Sequence, residues 1–268
     1  LIRTLYDLIY MRDRINNGQP INDTKNANTA HYALMDNFDL GGVPNWIPIG
    51  TKISHPFRGS FTGQGHCLSN LKVSETSSGN LGLFGFIEDA FISHLTIEID
   101  HISAANDACA GGLVGWAHNS KIFGVSVVPA RQDSCIHTES MTGGLIGYGV
   151  NCELIACANQ CPVFGFMVGG LIGYAQATIK INVCNNYGSV EICSVKGSAG
   201  GLIGQAEFFD GYPDQALQLE LENCISSGIV QGCVDPIDTL KTSGVGKMVG
   251  CLIENSKSTV KIVNNWQT

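Results

Sequence analysis

The sequence is poor in charged residues, and those it has lean to the acidic side. Of its 268 residues 14% are charged, with 15 Lys and Arg against 23 Asp and Glu, for a net charge of −8. An average soluble domain carries about 25% charged residues. The basic residues are scattered, whereas nucleic-acid binding needs a basic stripe or patch. We therefore expect no nucleic-acid partner, and the same charge disfavours an anionic membrane surface.

Other signatures are also missing. No apolar run approaches the ~18 residues of a transmembrane helix, so we expect no membrane span. The sequence has 11 cysteines, but no Cys-x-x-Cys pair, and the closest group, Cys152, Cys157 and Cys161, has no His nearby. Because these motifs are absent from the sequence, we expect neither a metal site nor a cofactor. The simplest interpretation makes most cysteines small apolar fillers of a narrow core.

Glycine, by contrast, is abundant, at 33 residues, and much of it recurs in one short motif. Copies of this glycine box are Gly82-Leu83-Phe84-Gly85, Gly111-Gly112-Leu113-Val114-Gly115, Gly-Gly-Leu-Ile-Gly at 143–147, 169–173 and 200–204, and the worn Gly246-Lys247-Met248-Val249-Gly250. The position before the Leu or Met of the box is Gly82, Gly112, Gly144, Gly170, Gly201 and Lys247 in successive copies, so the steps are 30, 32, 26, 31 and 46 residues. A repeat of this length predicts a solenoid. Glycine suits its corners, because it needs no room for a Cβ atom.

Alternating strands follow the boxes, with apolar residues at every second position or nearly so. They include Ile92, Leu95, Ile97 and Ile99, then Ile122, Val125 and Val127, then Ile179, Ile181 and Val183, then Leu217, Leu219 and Leu221, and finally Val260 and Ile262. Each repeat holds about three short strands and returns to its start, which is one coil of a parallel β-helix. We expect roughly eight coils. Two insertions, at 207–214 and 234–239, explain the longest step and predict loops on one face.

The N-terminal residues follow a different pattern. Residues 1–17 carry apolar side chains at three- and four-residue spacing and predict a helix that stops at Gly18. We assign 1–30 to a capping helix and loop, which would cover the open first coil, and 31–268 to the β-helix. The alternative is a helix that belongs to a neighbouring domain. Because the chain opens at Leu1 without Met, we interpret it as processed or as a piece of a longer protein.

The segment before the first box makes the resemblance to a known family specific. It contains Asn16-Asn17-Gly18, Asn37-Phe38-Asp39-Leu40, Trp46-Ile47-Pro48-Ile49-Gly50, the run from Pro56 to His66, and Ser69-Asn70-Leu71. Followed by the glycine boxes, this order resembles proteins that carry the GLUG motif. The resemblance covers nearly the whole chain. It implies a right-handed parallel β-helix, as in adhesin-like proteins of bacteria, and an extracellular or cell-surface location.

The same motif also occurs beside zinc metallopeptidases that cleave immunoglobulin A. Such enzymes need His-Glu-x-x-His on a helix, with two imidazoles on the metal and a Glu that activates water. None of the seven histidines has this spacing. The peptidase chemistry is therefore not expected in this chain.

A column of aromatic residues is the candidate ligand-binding site. The residue after the box is Phe86, Trp116, Tyr148 and Tyr174 in four successive copies, then Gln205 and Cys251. Facing water, this column would contact a sugar or a protein; facing inward, it would be ordinary core packing. The first insertion adds Phe208, Phe209 and Tyr212 as candidate contact residues. Stacking also predicts an inner column of Cys157, Cys184 and Cys224, which we expect to be reduced although disulfides are the alternative, and an inner ladder of Asn223, Asn264 and Asn265.

The function that these observations favour is non-enzymatic. The chain would be a rigid extracellular or cell-surface module for adhesion, ligand presentation or spacing, with a glycan or a host or matrix protein as its partner. One alternative is a polysaccharide lyase or hydrolase, which needs acids on one face of neighbouring coils. The carboxylates Glu88, Asp89, Glu98, Asp100, Glu191, Glu220 and Glu222 sit at dissimilar places in their coils, so no catalytic residue is assigned. The other alternative is a structural subunit that associates end to end.

Overall fold

The structure is a parallel β-solenoid of about six turns with one short N-terminal helix. The computed structural model describes residues 1–22, 25–74, 79–104, 107–194, 196–207, 216–232, 244–253 and 258–267. The predicted fold class is therefore confirmed, but roughly eight coils is too many. Residues Ser198–Gly200 pair directly with Gly244–Gly246, so the longest repeat adds length within a single turn. The hand of the coil stays a prediction from the resemblance.

Two stacks of strands build the described solenoid. A six-stranded sheet consists of Asn80–Leu81, Cys109–Gly111, Met141–Gly143, Met167–Gly169, Ser198–Gly200 and Gly244–Gly246, each paired in parallel with the strand one turn away. A second, 22-stranded sheet contains His31–Ala33, Phe38–Asp39, Ser60–Thr62, Cys67–Ser74, Phe84–Glu88, Phe91–Ala104, Val114–His118, Lys121–Pro129, Cys135–Thr138, Ile146–Ile155, Ala158–Asn159, Val163–Gly165, Ile172–Asn182, Asn185–Asn186, Val190–Ile192, Ile203–Glu207, Gln218–Glu222, Ile225–Ser226, Val230–Gln231, Val249–Ile253, Thr259–Val263 and Trp266–Gln267. Outside both sheets, Pro20–Asn22 and Lys25–Asn26 form an antiparallel pair.

Each glycine box is the corner between these two sheets, as predicted. The strand of the smaller sheet ends at or just before the box, two residues bend, and the strand of the larger sheet begins, as at Gly112 and Leu113 between Cys109–Gly111 and Val114–His118. A Cβ atom at Gly112 would lie 2.6 Å from the carbonyl oxygen of Gly144 in the next turn. The motif therefore recurs because the corners stack closely on one another.

The interior is filled by columns of apolar side chains, and one column turns polar. Ile97 and Val127 are succeeded in register by Asn159, Asn186 and Ser226, all fully buried. The Nδ2 of Asn159 donates to the Oδ1 of Asn186 at 2.9 Å, and the Nδ2 of Asn186 donates to the Gly188 carbonyl at 2.9 Å. These bonds meet the requirement that a buried amide be paired.

The predicted asparagine ladder lies elsewhere. Asn223 and Asn264 form an exposed corner, with φ of 53° and 52°, where the Nδ2 of Asn264 donates to the Oδ1 of Asn223 at 3.4 Å. Asparagine tolerates this left-handed conformation better than most residues. Asn265 is partly buried, and its amide donates to the Leu221 carbonyl. The expected inner ladder of these three residues is therefore wrong.

The cysteine column is as expected. Cys157, Cys184 and Cys224 are buried and occupy equivalent positions in successive turns, each one residue before a paired strand. The backbone N–H of Cys157 donates to the Sγ of Cys184 at 3.3 Å. Burial raises the pKa of Cys184 well above its ordinary value, which keeps the thiol protonated. All ten cysteines in the described part of the chain are free thiols.

The helix spans Leu5–Asn16, somewhat shorter than the predicted 1–17. Thr4 and Asp7 close its N-terminus as a capping box, and Gly18 ends it with φ of 64°. Its buried side chains belong to the same hydrophobic core as the coils, and the Arg12 guanidinium lies 4.8 Å from the ring centre of Trp46. Within the described ranges, no helix has the length and apolar character that a membrane crossing requires.

One outer column alternates in charge. Lys121, Glu153, Lys180, Glu220 and Lys261 stand beside one another in successive turns. The Nζ of Lys121 lies 2.8 Å from the Oε2 of Glu153, and the Nζ of Lys180 lies 3.3 Å from the Oε2 of Glu220. Opposite charges on adjacent strands favour this register over others.

Reversing the second charge of this column, Glu153, should destabilise the fold modestly. In Glu153→Lys, three lysines would face one another in successive turns, so we expect the free energy of unfolding to fall by about 1 kcal/mol. Glu153→Gln, the neutral control, should cost at most about 0.5 kcal/mol because exposed ion pairs contribute little. Urea denaturation at low salt and in 1 M NaCl measures both, and screening should abolish most of the difference. A salt-independent loss would show that repulsion is not the cause.

Candidate functional site

The four aromatic residues that follow the glycine boxes form one continuous row. Phe86 pairs in register with Trp116, Trp116 with Tyr148, and Tyr148 with Tyr174. Successive ring centres are 4.9, 5.1 and 5.1 Å apart, and the Trp116 and Tyr148 rings are stacked, with 25° between their planes. We call these four residues the aromatic row. The predicted column thus exists as a column of touching rings.

The aromatic row lies at the edge of the hydrophobic core. The next residue of each strand points inward, for example Ile87, Ala117 and Ala175, all at 0% exposure. Trp116 and Tyr148 are partly exposed, whereas Phe86 and Tyr174 are buried, at 4% and 8% exposure. None of the four rings belongs to the contiguous core cluster, so the row lies at the edge of the core, with its two middle rings reaching the surface.

A second row runs beside the first, two residues further along each strand. Glu88, His118, Val150, Gln176 and Glu207 stand in register in successive turns. We call the polar members, Glu88, His118, Gln176 and Glu207, the polar row. The polar row was not predicted, although a polar residue stands two positions after three of the four aromatic residues in the sequence.

Ion pairs organise the first end of the polar row. The bridge between Phe57 and Ile87 places Arg58 beside Glu88, and its Nη2 forms an ion pair with the Oε2 of Glu88. The Nδ1 of His118 lies 3.4 Å from the other oxygen, Oε1. The carboxylate of Glu88 is therefore held between a guanidinium and an imidazole.

Hydrogen bonds join the two rows at the other end. The hydroxyl of Tyr148 donates to the Oε1 of Gln176, whose Nε2 donates to the Tyr174 hydroxyl at 3.0 Å and to the Oε1 of Glu207 at 3.1 Å. Burial raises the pKa of Tyr148 to about 12, so its hydroxyl stays protonated and remains a donor near neutral pH. The polar row thus holds the rings of Tyr148 and Tyr174 in place.

Three residues of the aromatic row and two of the polar row line an open groove of about 580 Å³. Its lining residues are Ile53, Arg58, Phe86, Glu88, Trp116, His118, Asn119, Tyr148, Val150 and Asn151. Asn119 and Asn151 stack at the corner beside the rows, where the Nδ2 of Asn151 donates to the Oδ1 of Asn119 at 3.1 Å. An apolar wall with a few convergent polar groups, in this range of volume, is the usual composition of a ligand site.

Carboxylates are scarce in the described groove. Glu88 is the single carboxylate among its described lining residues, and it is already paired. Glycosidases use two carboxyl groups about 5–9.5 Å apart. Of the other predicted acids, Glu220 and Glu222 approach lysines, and Asp100 pairs with Arg131, on other parts of the surface. In the ranges that the structure describes, no three His, Cys, Asp or Glu residues are grouped so as to hold a metal ion.

Three predicted contact residues belong to the first insertion. They are Phe208, Phe209 and Tyr212, and they lie outside the described residues. The strand Ile203–Glu207, which ends just before them, carries Gln205 in register with Tyr174. The described groove therefore contains three of the seven predicted contact residues, Phe86, Trp116 and Tyr148, and Tyr174 extends the row beyond it.

The chain is similar in sequence to one known protein and in fold to another. Over 149 residues it is 26% identical to halomucin of Haloquadratum walsbyi, which covers 52% of this chain and 2% of halomucin. Its fold is similar to the crystal structure of a Bacteroides ovatus protein provisionally named an immunoglobulin A1 protease, with a TM-score of 0.53, 15% identity, and coverage of 85% of this chain and 78% of that one. No family model matches the chain. The fold is thus one shared with a known protein, and the chain resembles a small section of a much longer one.

Proposed function

We propose that this chain is a non-enzymatic module of an extracellular or cell-surface protein, and that it binds a glycan in the groove along the aromatic row. The observation that carries the proposal is the row of touching aromatic rings, which lies at the edge of the core and beside a row of hydrogen-bonding side chains. Aromatic surface supplies contact area, and the polar groups supply orientation and specificity. The order of the lead-in and the glycine boxes supports membership of the adhesin-like GLUG-motif proteins.

The comparison with halomucin supports an extracellular or cell-surface location. A section of halomucin is related in sequence, and its name is that of a large surface protein. A solenoid suits such a setting, because each turn packs only on its neighbours and the rod can extend a binding face away from an anchor. The resemblance to a protein named as a protease concerns the fold alone, at 15% identity.

A glycan fits the groove better than an extended peptide does. Peptides commonly bind by adding a strand to a free sheet edge. The strands under the groove, Phe84–Glu88, Val114–His118 and Ile146–Ile155, are paired with one another through their backbones, and the middle one is paired on both sides. The groove therefore offers side-chain amides, a carboxylate, an imidazole and a guanidinium, which suit hydroxyl groups. The array experiment described below includes proteins and therefore also tests for a protein partner.

Removing two rings should abolish binding while leaving the fold intact. In Trp116→Ser with Tyr148→Ser, the groove loses its aromatic wall, and we expect at least a tenfold loss of affinity for any glycan that the intact chain binds. The stability cost should be limited to a few kcal/mol, because both rings are partly exposed and outside the core. A glycan and matrix-protein array identifies the ligand, and calorimetry with circular dichroism measures affinity and folding.

The matched control is Trp116→Phe. Its ring is the one already present at Phe86 in the same row, and the Nε1 of Trp116 is buried without a hydrogen-bond partner, so no bond is lost. This variant should bind within about threefold of the intact chain. A folded double variant with full affinity would show that the groove is not the binding site. If the double variant unfolds, the aromatic row stabilises the fold and the proposed binding role fails. If the chain binds only proteins on the array, its partner is a protein and the glycan proposal is wrong.

A further inference from the structure

The groove repeats itself along the rod, and this repetition constrains its ligand. Resting on the function proposed above, we infer that the ligand is a linear, uncharged polysaccharide that lies parallel to the rod axis, with successive sugar units on successive turns. Four turns in a row present an aromatic ring at the same place, with centres 4.9, 5.1 and 5.1 Å apart. This step is comparable with the length of one sugar unit in an extended chain. A repeated site with this spacing matches a repeated ligand.

The polar row has the same step, so in three of the four turns a sugar unit would meet a ring and a polar group together, while the turn of Tyr148 carries Val150 instead. Glu88 lies beside Phe86, His118 beside Trp116, and Gln176 beside Tyr174, each two residues further along its own strand. The Trp116 and Tyr148 rings are stacked, and the other two pairs are tilted by 55° and 37°. The ring edges are most accessible at Trp116 and Tyr148, which are partly exposed. Ring edges carry partial positive charge and attract oxygen atoms, so sugar hydroxyl and ring oxygens fit this surface.

The charges in and around the groove disfavour binding of acidic polysaccharides. Arg58 is the one lining residue of the described groove with a permanent positive charge, and its guanidinium is already engaged by Glu88. Glu207 adds a second carboxylate to the polar row, and the whole chain has a net charge of −8. An anionic polymer would meet repulsion without a free cation to offset it. The groove therefore fits a neutral glycan.

Oligosaccharide series test both parts of the inference. Calorimetry would compare neutral gluco-, manno- and galacto-oligosaccharides of one to eight units with oligogalacturonates of the same lengths. For the neutral series that binds, affinity should rise at least tenfold between one and four units and then level off, because four aromatic positions are present. Oligogalacturonates should bind at least tenfold more weakly at each length.

Two variants sharpen the result. Glu88→Gln releases Arg58 from its ion pair, so it should improve oligogalacturonate binding severalfold and change neutral binding less. Tyr174→Ser removes the last ring and should end the rise in affinity one unit earlier. A single sugar that binds as tightly as the tetramer, or a preference of the intact chain for galacturonates, would overturn the inference and leave the proposed function standing. If the intact chain binds no glycan on the array, the proposed function itself fails.

Discussion

Gly170→Ala is expected to destabilise the solenoid by about 3 kcal/mol, which lowers the melting temperature by roughly 5–10 °C. A Cβ atom at this position would lie 2.2 Å from the carbonyl oxygen of Gly201 in the next turn and 2.2 Å from the Cγ of Asn186. One contact is with backbone and the other with a buried, hydrogen-bonded amide, so neither neighbour has room to move. The corner would have to open, and every turn stacked on it would be affected.

Gly149→Ala is the matched control. Gly149 lies within the strand Ile146–Ile155, and a Cβ atom there would have its nearest neighbours at 3.6, 3.6 and 3.8 Å, which is ordinary contact. The equivalent positions in adjacent turns are Ala117 and Ala175, both fully buried. This variant should keep its stability or gain up to about 1 kcal/mol, because the unfolded chain loses conformational freedom. Thermal and urea unfolding followed by circular dichroism would measure both variants. Equal losses in the two would mean that steric crowding at the corner does not explain the glycine box.

Asn186→Ala should cost about 3 kcal/mol. The side chain is fully buried, accepts a hydrogen bond from Asn159 and donates one to the Gly188 carbonyl. Its loss leaves a buried carbonyl without that donor and a cavity between two turns, and each effect costs about 1–3 kcal/mol. The ladder also fixes the stacking of successive turns, so the loss should be cooperative.

Asn182→Ala provides the comparison for this ladder. Asn182 is partly exposed and accepts a hydrogen bond from the Nδ2 of Asn223 at 3.3 Å on the outer surface. Water replaces such a bond easily, so the change should stay within about 0.5 kcal/mol. Urea denaturation of the two variants under the same conditions separates them. If Asn186→Ala is no more destabilised than Asn182→Ala, the inner amides do not stabilise the stack.

Much of the fold was predictable because its rules are local. The alternation at Ile92 to Ile99 marked a strand with one buried face, and these residues are buried as expected. The recurring glycines marked corners, since stacked corners leave no space for a side chain. The number of turns was overestimated because chain length alone does not show whether an insertion lies inside a turn.

The direction of the aromatic row was not predictable from alternation. Val114 and Trp116 are two residues apart, which in a regular strand would place both on one face. Val114 is nevertheless in the core and Trp116 outside it, although both lie in the strand Val114–His118. Val114, Gly115 and Ala117 are the buried positions of this strand, so strict alternation fails next to the box.

The buried amide ladder was missed for a related reason. Asparagines at equivalent distances from a box need not stack, because the repeats differ in length by several residues. Register between turns brings Asn159 onto Asn186, whereas Asn223 and Asn264 fall at an exposed corner.

The sequence by itself determined that this chain is a parallel β-solenoid with glycine corners, an N-terminal helix and an aromatic residue after the box in four successive turns. Sterics at a corner and alternation along a strand act within a few residues, so the sequence displays them directly. The tertiary structure alone decided that Trp116 and Tyr148 are partly exposed, that Arg58 pairs with Glu88, and which amides are buried. These features depend on which residues of different turns lie side by side, and that register is set by the lengths of all the segments between them.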